Sequence, residues 1–260
     1  MASAQESQAA LGFSPDPVGD EAAEVLPGLL QKYTGRALMI VSGACAVHCR
    51  YCFRRAFPYS EAPKTPRGWQ AALDYLAGDD SISEIILSGG DPLAATDEQL
   101  GWLSDRLSEI PHLKRLRIHS RFPIVIPQRV CDALMEWIGR SRSSVYLVVH
   151  ANHPHEIDDA VRSAMIRMRK AGVTLLNQAV LLRGVNDSVE VQEELCRQLV
   201  DIGVIPYYLH QLDRVQGAAH FETQAQMGRN IIEALRARLP GYAVPGFVRE
   251  VAGDVSKRPL

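Results

Sequence analysis

Three of the five cysteines fall within eight residues, as Cys45-Ala-Val-His-Cys49-Arg-Tyr-Cys52. Thiolates clustered on so short a loop can hold three corners of an iron–sulfur cube, leaving the fourth iron open to an outside ligand. Zinc is the competing reading, but a structural zinc site wants four closed ligands, usually as two separated pairs. Here the fourth would have to be His48 or a remote cysteine, and there is no second Cys-x-x-Cys pair. Cys131 and Cys196 are isolated and read as buried apolar residues. A second candidate is Ser88-Gly89-Gly90-Asp91-Pro92, directly after the apolar run at 84–87. Adjacent glycines let a backbone approach a ligand closely, although alone this segment could be a simple turn.

These groups need elements to position them, and β-branched runs alternate with amphipathic ones along the chain. Strands are expected at 37–41, 84–87, 115–119, 145–149, within 173–182 and at 204–209. Helices are expected at 68–76, 97–109 (with Thr96 as N-cap), 128–139, 156–171 (closed by Gly172), 189–201 and 223–239, and a last extended segment at 243–251. Such alternation argues for a parallel sheet with helical crossovers. Six units are too few to close an eight-stranded barrel, so a partial (β/α)6 TIM barrel or an open doubly wound sheet fits. Ligands then bind beyond the carboxyl ends of the strands. The chemistry-bearing residues obey that rule: the cysteine loop, residues 88–91, 119–121, His150, Asn177-Gln178 and 210–213 each follow or end a strand. Residues 1–24, rich in small and polar side chains, read as a flexible lead-in to a domain at 25–260.

Composition narrows the class. With 47% hydrophobic and 22% charged residues, the chain is an ordinary globular protein. Its 28 basic against 30 acidic residues give no electrostatic reason for a nucleic-acid or membrane partner. No basic-then-apolar leader is visible, so the expected location is the cytoplasm, where thiols stay reduced.

The cysteine spacing, with an aromatic before its last cysteine, and the glycine segment at the end of the second expected strand resemble the radical S-adenosylmethionine superfamily. CRYCFRR, SGGDPL, HSRFPIVIPQR, NHPHEI, LLNQAVLLRGVND and PYYLHQLD, in that order, resemble lysine 2,3-aminomutases over roughly residues 25 to 260. PGLLQKY, AFPY and VQGAAHF are similar to the bacterial branch that makes β-lysine for modification of translation elongation factor P. The resemblance implies a [4Fe–4S] cluster on Cys45, Cys49 and Cys52. It also implies S-adenosylmethionine, cleaved by one electron to give the radical that removes a hydrogen atom, and pyridoxal 5′-phosphate as second cofactor. It implies no zinc, because the cysteines that carry zinc in some relatives are missing. It further implies absence of the N-terminal helical extension usual in relatives.

By the same resemblance, Lys257 takes the place of the pyridoxal-bearing lysine, although Gly-Asp-Val-Ser precedes it where many relatives have a glycine run. Arg54 matches the arginine that grips the substrate carboxylate; its guanidinium fork suits that geometry. Asp213 and Glu250 match two acids for the distal ammonium of lysine, with Glu250 replacing the commoner aspartate. Arg36 matches a phosphate-binding arginine and Tyr51 an aromatic beside adenine. Ser88, Gly89, Gly90 and Asp91 match the methionine-binding segment. His150 and Gln178 match polar groups near the cofactors. Implied partners are L-lysine, a reducing electron donor, and a functional link to elongation factor P and its lysyl ligase, with a homo-oligomer left open. Two other readings compete. A radical enzyme for another amino acid is opposed by Asp213, Glu250 and Lys257. A non-catalytic iron–sulfur scaffold has no use for the glycine segment, Arg54 or Lys257. Anaerobic reconstitution with iron and sulfide should give a brown protein with sulfur-to-iron charge-transfer absorption. Cys49→Ala should lose that band and its iron; unchanged iron content would refute the cluster assignment.

Overall fold

The computed structural model describes residues 4–260. Its spine is a set of parallel strands alternating with helices: β3 (Arg36–Ser42), α1 (Pro66–Gly78), β4 (Glu84–Gly89), α2 (Asp97–Ser108), β5 (Arg115–Ser120), the short α3 (Phe122–Val125), α4 (Asp132–Arg140), β6 (Ser144–Val149), α5 (Asp159–Lys170), β7 (Thr174–Leu181), α6 (Val189–Asp201), β8 (Ile205–Gln211) and α7 (Ala225–Arg238). Two short strands precede it, β1 (Glu24–Leu26) and β2 (Leu29–Tyr33), and two follow, β9 (Gly246–Arg249) and β10 (Arg258–Pro259). Strand order in the sheet is the order in the chain, from β1 to β10. A doubly wound sheet would reverse direction at a switch point, so the sequential order selects the partial barrel. Six βα units, β3 to α7, run in parallel, and β9 joins parallel to β8.

Local chemistry sets the helix starts. Thr65, Thr96, Asp158 and Ser188 each accept a backbone N–H in the first turn of the following helix, and Thr96 with Gln99 forms a reciprocal capping box. The helix expected at 128–139 begins only at Asp132, because Pro123 and Pro127 split the approach into α3 and a tight 3₁₀ turn.

Side chains alternate across each strand. Ala37, Met39 and Val41 of β3, Leu116 and Ile118 of β5, and Leu147 and Val149 of β6 point outward into one continuous core under the helices. The intervening residues point inward. Residues 4–24, the described part of the expected lead-in, make specific contacts with the barrel. Val18 and Asp20 are buried, Ser14 pairs with Val215, and residues 24–33 form a hairpin that extends the sheet beyond β3. No helix among the described residues is long and apolar enough to cross a membrane.

The turn after β7 hangs on Asn186, which is fully buried. Its side chain accepts from Leu182 N at 2.8 Å and donates to the carbonyls of Asn152 and Val180, both at 2.9 Å. Asn186→Leu keeps the branched shape, though it is larger, and orphans these groups. It should destabilise the protein by at least about 2 kcal/mol in a urea melt, whereas a loss under about 0.5 kcal/mol would show the turn to be held otherwise.

Candidate active site

The inward side chains do not fill the barrel. They surround a cavity of about 1400 Å³ that runs from the loops after the strands down to the first residues of β3, β4 and β5. A pocket for one small ligand is typically about 300–1,000 Å³, so this one has room for more than one. Every site residue expected from the sequence lines it.

At one end lies the cysteine loop, between β3 and α1. Backbone bonds such as Cys52 N to Cys49 O at 3.0 Å curl it tightly. Its base packs on the glycine segment: Gly90 N donates to Ser42 O and Asp91 N to Ala44 O, both at 2.8 Å. Gly89 has φ of 129°, and a Cβ there would sit 2.3 Å from Ser42 O; a Cβ on Gly90 would sit 2.6 Å from Ala44 O. The protein's own loop packing therefore already requires both glycines. Asp91 is a brace: its carboxylate accepts from Leu93 N, Ser120 Oγ, Arg121 N and Phe122 N, tying the end of β4 to the end of β5.

Arg121 reaches back across the mouth. Nη1 donates to Cys49 Sγ at 2.8 Å and Tyr51 Oη at 3.0 Å, and Nη2 to Glu156 Oε2 at 2.7 Å. Asn152 also hydrogen-bonds Tyr51 Oη. Tyr51 is thus locked at the edge of the cysteine loop. Arg54 is buried, donating from Nε to Asp20 Oδ2 at 2.6 Å and from Nη1 to Ser88 Oγ at 3.0 Å.

Lys257 enters from another side. The β9–β10 pairing turns the chain end back, with Arg258 opposite Arg249, and sets Lys257 Nζ against Glu250 Oε2. Tyr33 Oη donates to Glu250 Oε1 at 2.5 Å. Burial pushes the Glu250 carboxyl up, but Lys257, Tyr33 and Lys32 outweigh it and the net shift is downward. Asp213 is the opposite case: burial, opposed by Lys257 and reinforced by Glu250, lifts its carboxyl to about 7. His150 is pushed down to about 4 by burial and then by Arg121 and Lys257, and burial keeps His119 and His210 neutral as well. Arg36, at the start of β3, lies over the Tyr33 ring with 4.5 Å to its centroid. Gln178, inward on β7, is buried.

Residues 33–115 match the family described as a 4Fe-4S single cluster domain. L-lysine 2,3-aminomutase of Escherichia coli is 52% identical over all of this chain and 76% of its own length. That of Haemophilus influenzae is 48% identical over 99% of this chain and 76% of its own. The chain belongs to the lysine 2,3-aminomutase family. Members are isomerases within the radical S-adenosylmethionine superfamily. Solved structures bear on the fold alone. SuiB of Streptococcus suis bound to precursor peptide SuiA aligns with a TM-score of 0.61 at 15% identity, over 85% of this chain and 50% of that one. A radical SAM methyltransferase from Sphaerobacter thermophilus aligns at 0.59 and 20% identity, over 85% and 68%.

The donor set suits the cluster of the aminomutase family. Cys45, Cys49 and Cys52 are free thiols lining one cavity. Burial, then Asp91, Cys52 and Cys49, pushes the Cys45 thiol up to about 11. Gathering ionisable thiols beside a carboxylate is unfavourable by itself, and bound iron, which takes thiolates, reverses the penalty. Among the described residues no three His, Cys, Asp or Glu side chains converge on a single ion; a cube takes its thiolates on separate irons.

Sequence reasoning missed Asp20, and it marked Arg121, His119 and His210 only as members of strand-end segments without giving them a role. The signal for the last three was that each ends or directly follows a strand, as His150 does. Asp20 had none, since its partners Lys32 and Arg54 are distant in the chain.

Asp213 binds its proton more tightly folded than at the ordinary value of 3.8. The native state then holds more protons than the unfolded one, so this group costs stability progressively as pH rises from about 4 to 7. Asp213→Asn should raise the melting temperature of the ligand-free protein above about pH 7 and leave it near wild type at about pH 4. A shift independent of pH would show that the carboxyl is not held protonated.

Proposed function

We propose that this enzyme converts L-α-lysine to β-lysine by moving the amino group from C2 to C3. The observation that carries the reading is one cavity lined by a buried arginine, Arg54, by two acids, Asp213 and Glu250, and by an amine, Lys257. A diamino acid offers the complementary charges: a carboxylate for the guanidinium and a distal ammonium for the acids. A neutral amino acid brings no cation to Asp213 and none to Glu250 beyond Lys257, so it forgoes interactions that a diamino acid makes.

Cys45, Cys49 and Cys52 would hold the cluster, and residues 88–91 with Tyr51 would flank S-adenosylmethionine. Lys257 would carry pyridoxal phosphate, with Arg36 toward its phosphate and His150 and Gln178 nearby. Among the described residues four buried nitrogens of cavity-lining side chains lack a hydrogen-bond partner, His119 Nε2, His210 Nε2, Arg117 Nε and Arg121 Nε, and a polar ligand would satisfy them. When bound, these groups supply a carbon radical and an electron sink for the migrating nitrogen. The protein supplies the rest. Arg54 orients the substrate by its carboxylate, and the acids fix its far end. Asp213, ionised on meeting an ammonium, yields its proton. The neutral imidazoles offer hydrogen bonds without a competing charge, and the enclosing loops keep water from the radical. Resemblance to the elongation-factor branch supports β-lysine as a building block for modifying that factor, made in the reducing cytoplasm with an electron donor from the cell.

The test is anaerobic incubation of the reconstituted protein with S-adenosylmethionine, dithionite and lysine, followed by chromatography. β-Lysine should form, and borohydride should fix pyridoxal covalently to Lys257. Lys257→Ala should lower the rate at least about a thousandfold. Formation of 5′-deoxyadenosine without β-lysine would overturn the substrate.

A further inference from the structure

Asp20 is 2% exposed and lines the same cavity, but it comes from the segment before β1 rather than from a strand end. Its place is firmly set: Asp16 accepts the backbone N–H groups of Asp20 and Glu21 at 3.0 Å each. Just upstream, Ser14 is bonded to the loop after β8 through Arg214 O at 2.9 Å and Gln216 N at 3.0 Å. This stretch is a strap that links the loop bearing Asp213 to the loop bearing Arg54.

Asp20 uses both carboxylate oxygens on cations. Oδ2 accepts from Arg54 Nε at 2.6 Å, and Oδ1 lies 2.6 Å from Lys32 Nζ. A guanidinium carries five N–H groups in a rigid fork. On Arg54, Nε is taken by Asp20 and one N–H of Nη1 by Ser88 Oγ, and the plane lies near Phe53, 5.0 Å from its ring centroid. The remaining N–H groups sit on the terminal nitrogens of a side chain that lines the cavity. One carboxylate between two cations leaves the trio with one net positive charge, so Asp20 orients Arg54 without cancelling its attraction for an anion.

We propose that Asp20 is a positioning residue for substrate binding: it fixes the Arg54 guanidinium with its free N–H groups toward the cavity, ready for the carboxylate of the amino acid. The proposal rests on the reading of Arg54 as the carboxylate-binding group. Without Asp20 the arginine must be ordered by the substrate itself, and that ordering cost is subtracted from affinity.

The test compares L-lysine with cadaverine, the same diamine without the carboxylate. Both are titrated into enzyme loaded with cluster, S-adenosylmethionine and pyridoxal phosphate but no reductant, and the pyridoxal absorption is read. Asp20→Asn should weaken lysine about tenfold and cadaverine by less than about twofold. In an Arg54→Met background, Asp20→Asn should cost lysine nothing further. Equal weakening of both ligands, or an additive loss on top of Arg54→Met, would overturn the proposal and leave Asp20 a structural residue. If Asp20→Asn fails to load its cofactors, Asp20→Glu keeps the charge but displaces it; unchanged lysine preference in that variant overturns the proposal equally. Should Arg54→Met keep the wild-type preference for lysine, the reading of Arg54 fails first and the role of Asp20 falls with it.

Discussion

A strand's side chains point alternately to its two faces, and in this barrel only the outer face is covered by helices. The whole molecule follows from how the sequence divides its residues under that constraint. Ile85, Leu87, Leu116, Ile118, Leu147 and Leu175 go outward and bury against the helices. Glu84, Arg117, His119, Tyr146, Gln178 and His210 go inward around the cavity. A closed eight-stranded barrel usually packs branched apolar side chains in its centre. This inner face cannot, so stability must come from the outer layer, and the inner polar groups must satisfy one another or a ligand. Some do: Arg117 Nη2 meets Glu84 Oε1 at 2.7 Å near the start of β4.

An open interior leaves the loops above it without a floor, and they are held sideways instead. Asp91 ties the β4 loop to β5. Arg121 at the end of β5 ties back to the cysteine loop and forward to Glu156. Asn152 after β6 donates to Tyr51 and accepts from Val180 N of β7. Asn186 beyond β7 holds the Asn152 carbonyl. Each strand end is thus braced on its neighbours by buried, directional bonds, which strengthen one another in a low-dielectric setting. Such mutual bracing is how a site built on loops can keep the geometry that chemistry demands.

What could be read from the sequence was whatever is local. Capping residues, alternating runs and the tight cysteine spacing are written within a few residues of where they act, so the βα order and the cluster loop were legible. The start of α4 was misplaced although Pro123 and Pro127 were there to be weighed. Lys257 was legible only through family resemblance, because its position depends on a two-residue strand, β10, pairing with β9. The contacts of residues 4–24 were not legible at all. Their small and polar composition suggests no core, and their contacts are with residues distant in the chain, such as Asp20 with an arginine 34 positions away and Ser14 with Val215. Arg121 meets Cys49 across 72 positions, and no local pattern encodes that contact.

Burial biases the titratable groups of the site in a consistent direction, toward their neutral forms. Asp213 keeps its proton to about 7 and Cys45 to about 11, while His150 stays neutral down to about 4. In each case burial dominates and disfavours charge. Glu250 escapes through partners in its own chain, chiefly the amine of Lys257, with Tyr33 and Lys32. A cationic partner at Asp213 or at the thiols makes the charged form the favoured one, and a proton must leave as it binds. Of these groups Asp213 alone lowers stability near neutral pH, where the unfolded chain would ionise it; a neutral Cys45 costs only above its ordinary 9.0 and a neutral His150 only below its ordinary 6.5. The outer apolar layer is what makes that arrangement tolerable, because it holds the barrel together independently of the polar inner face.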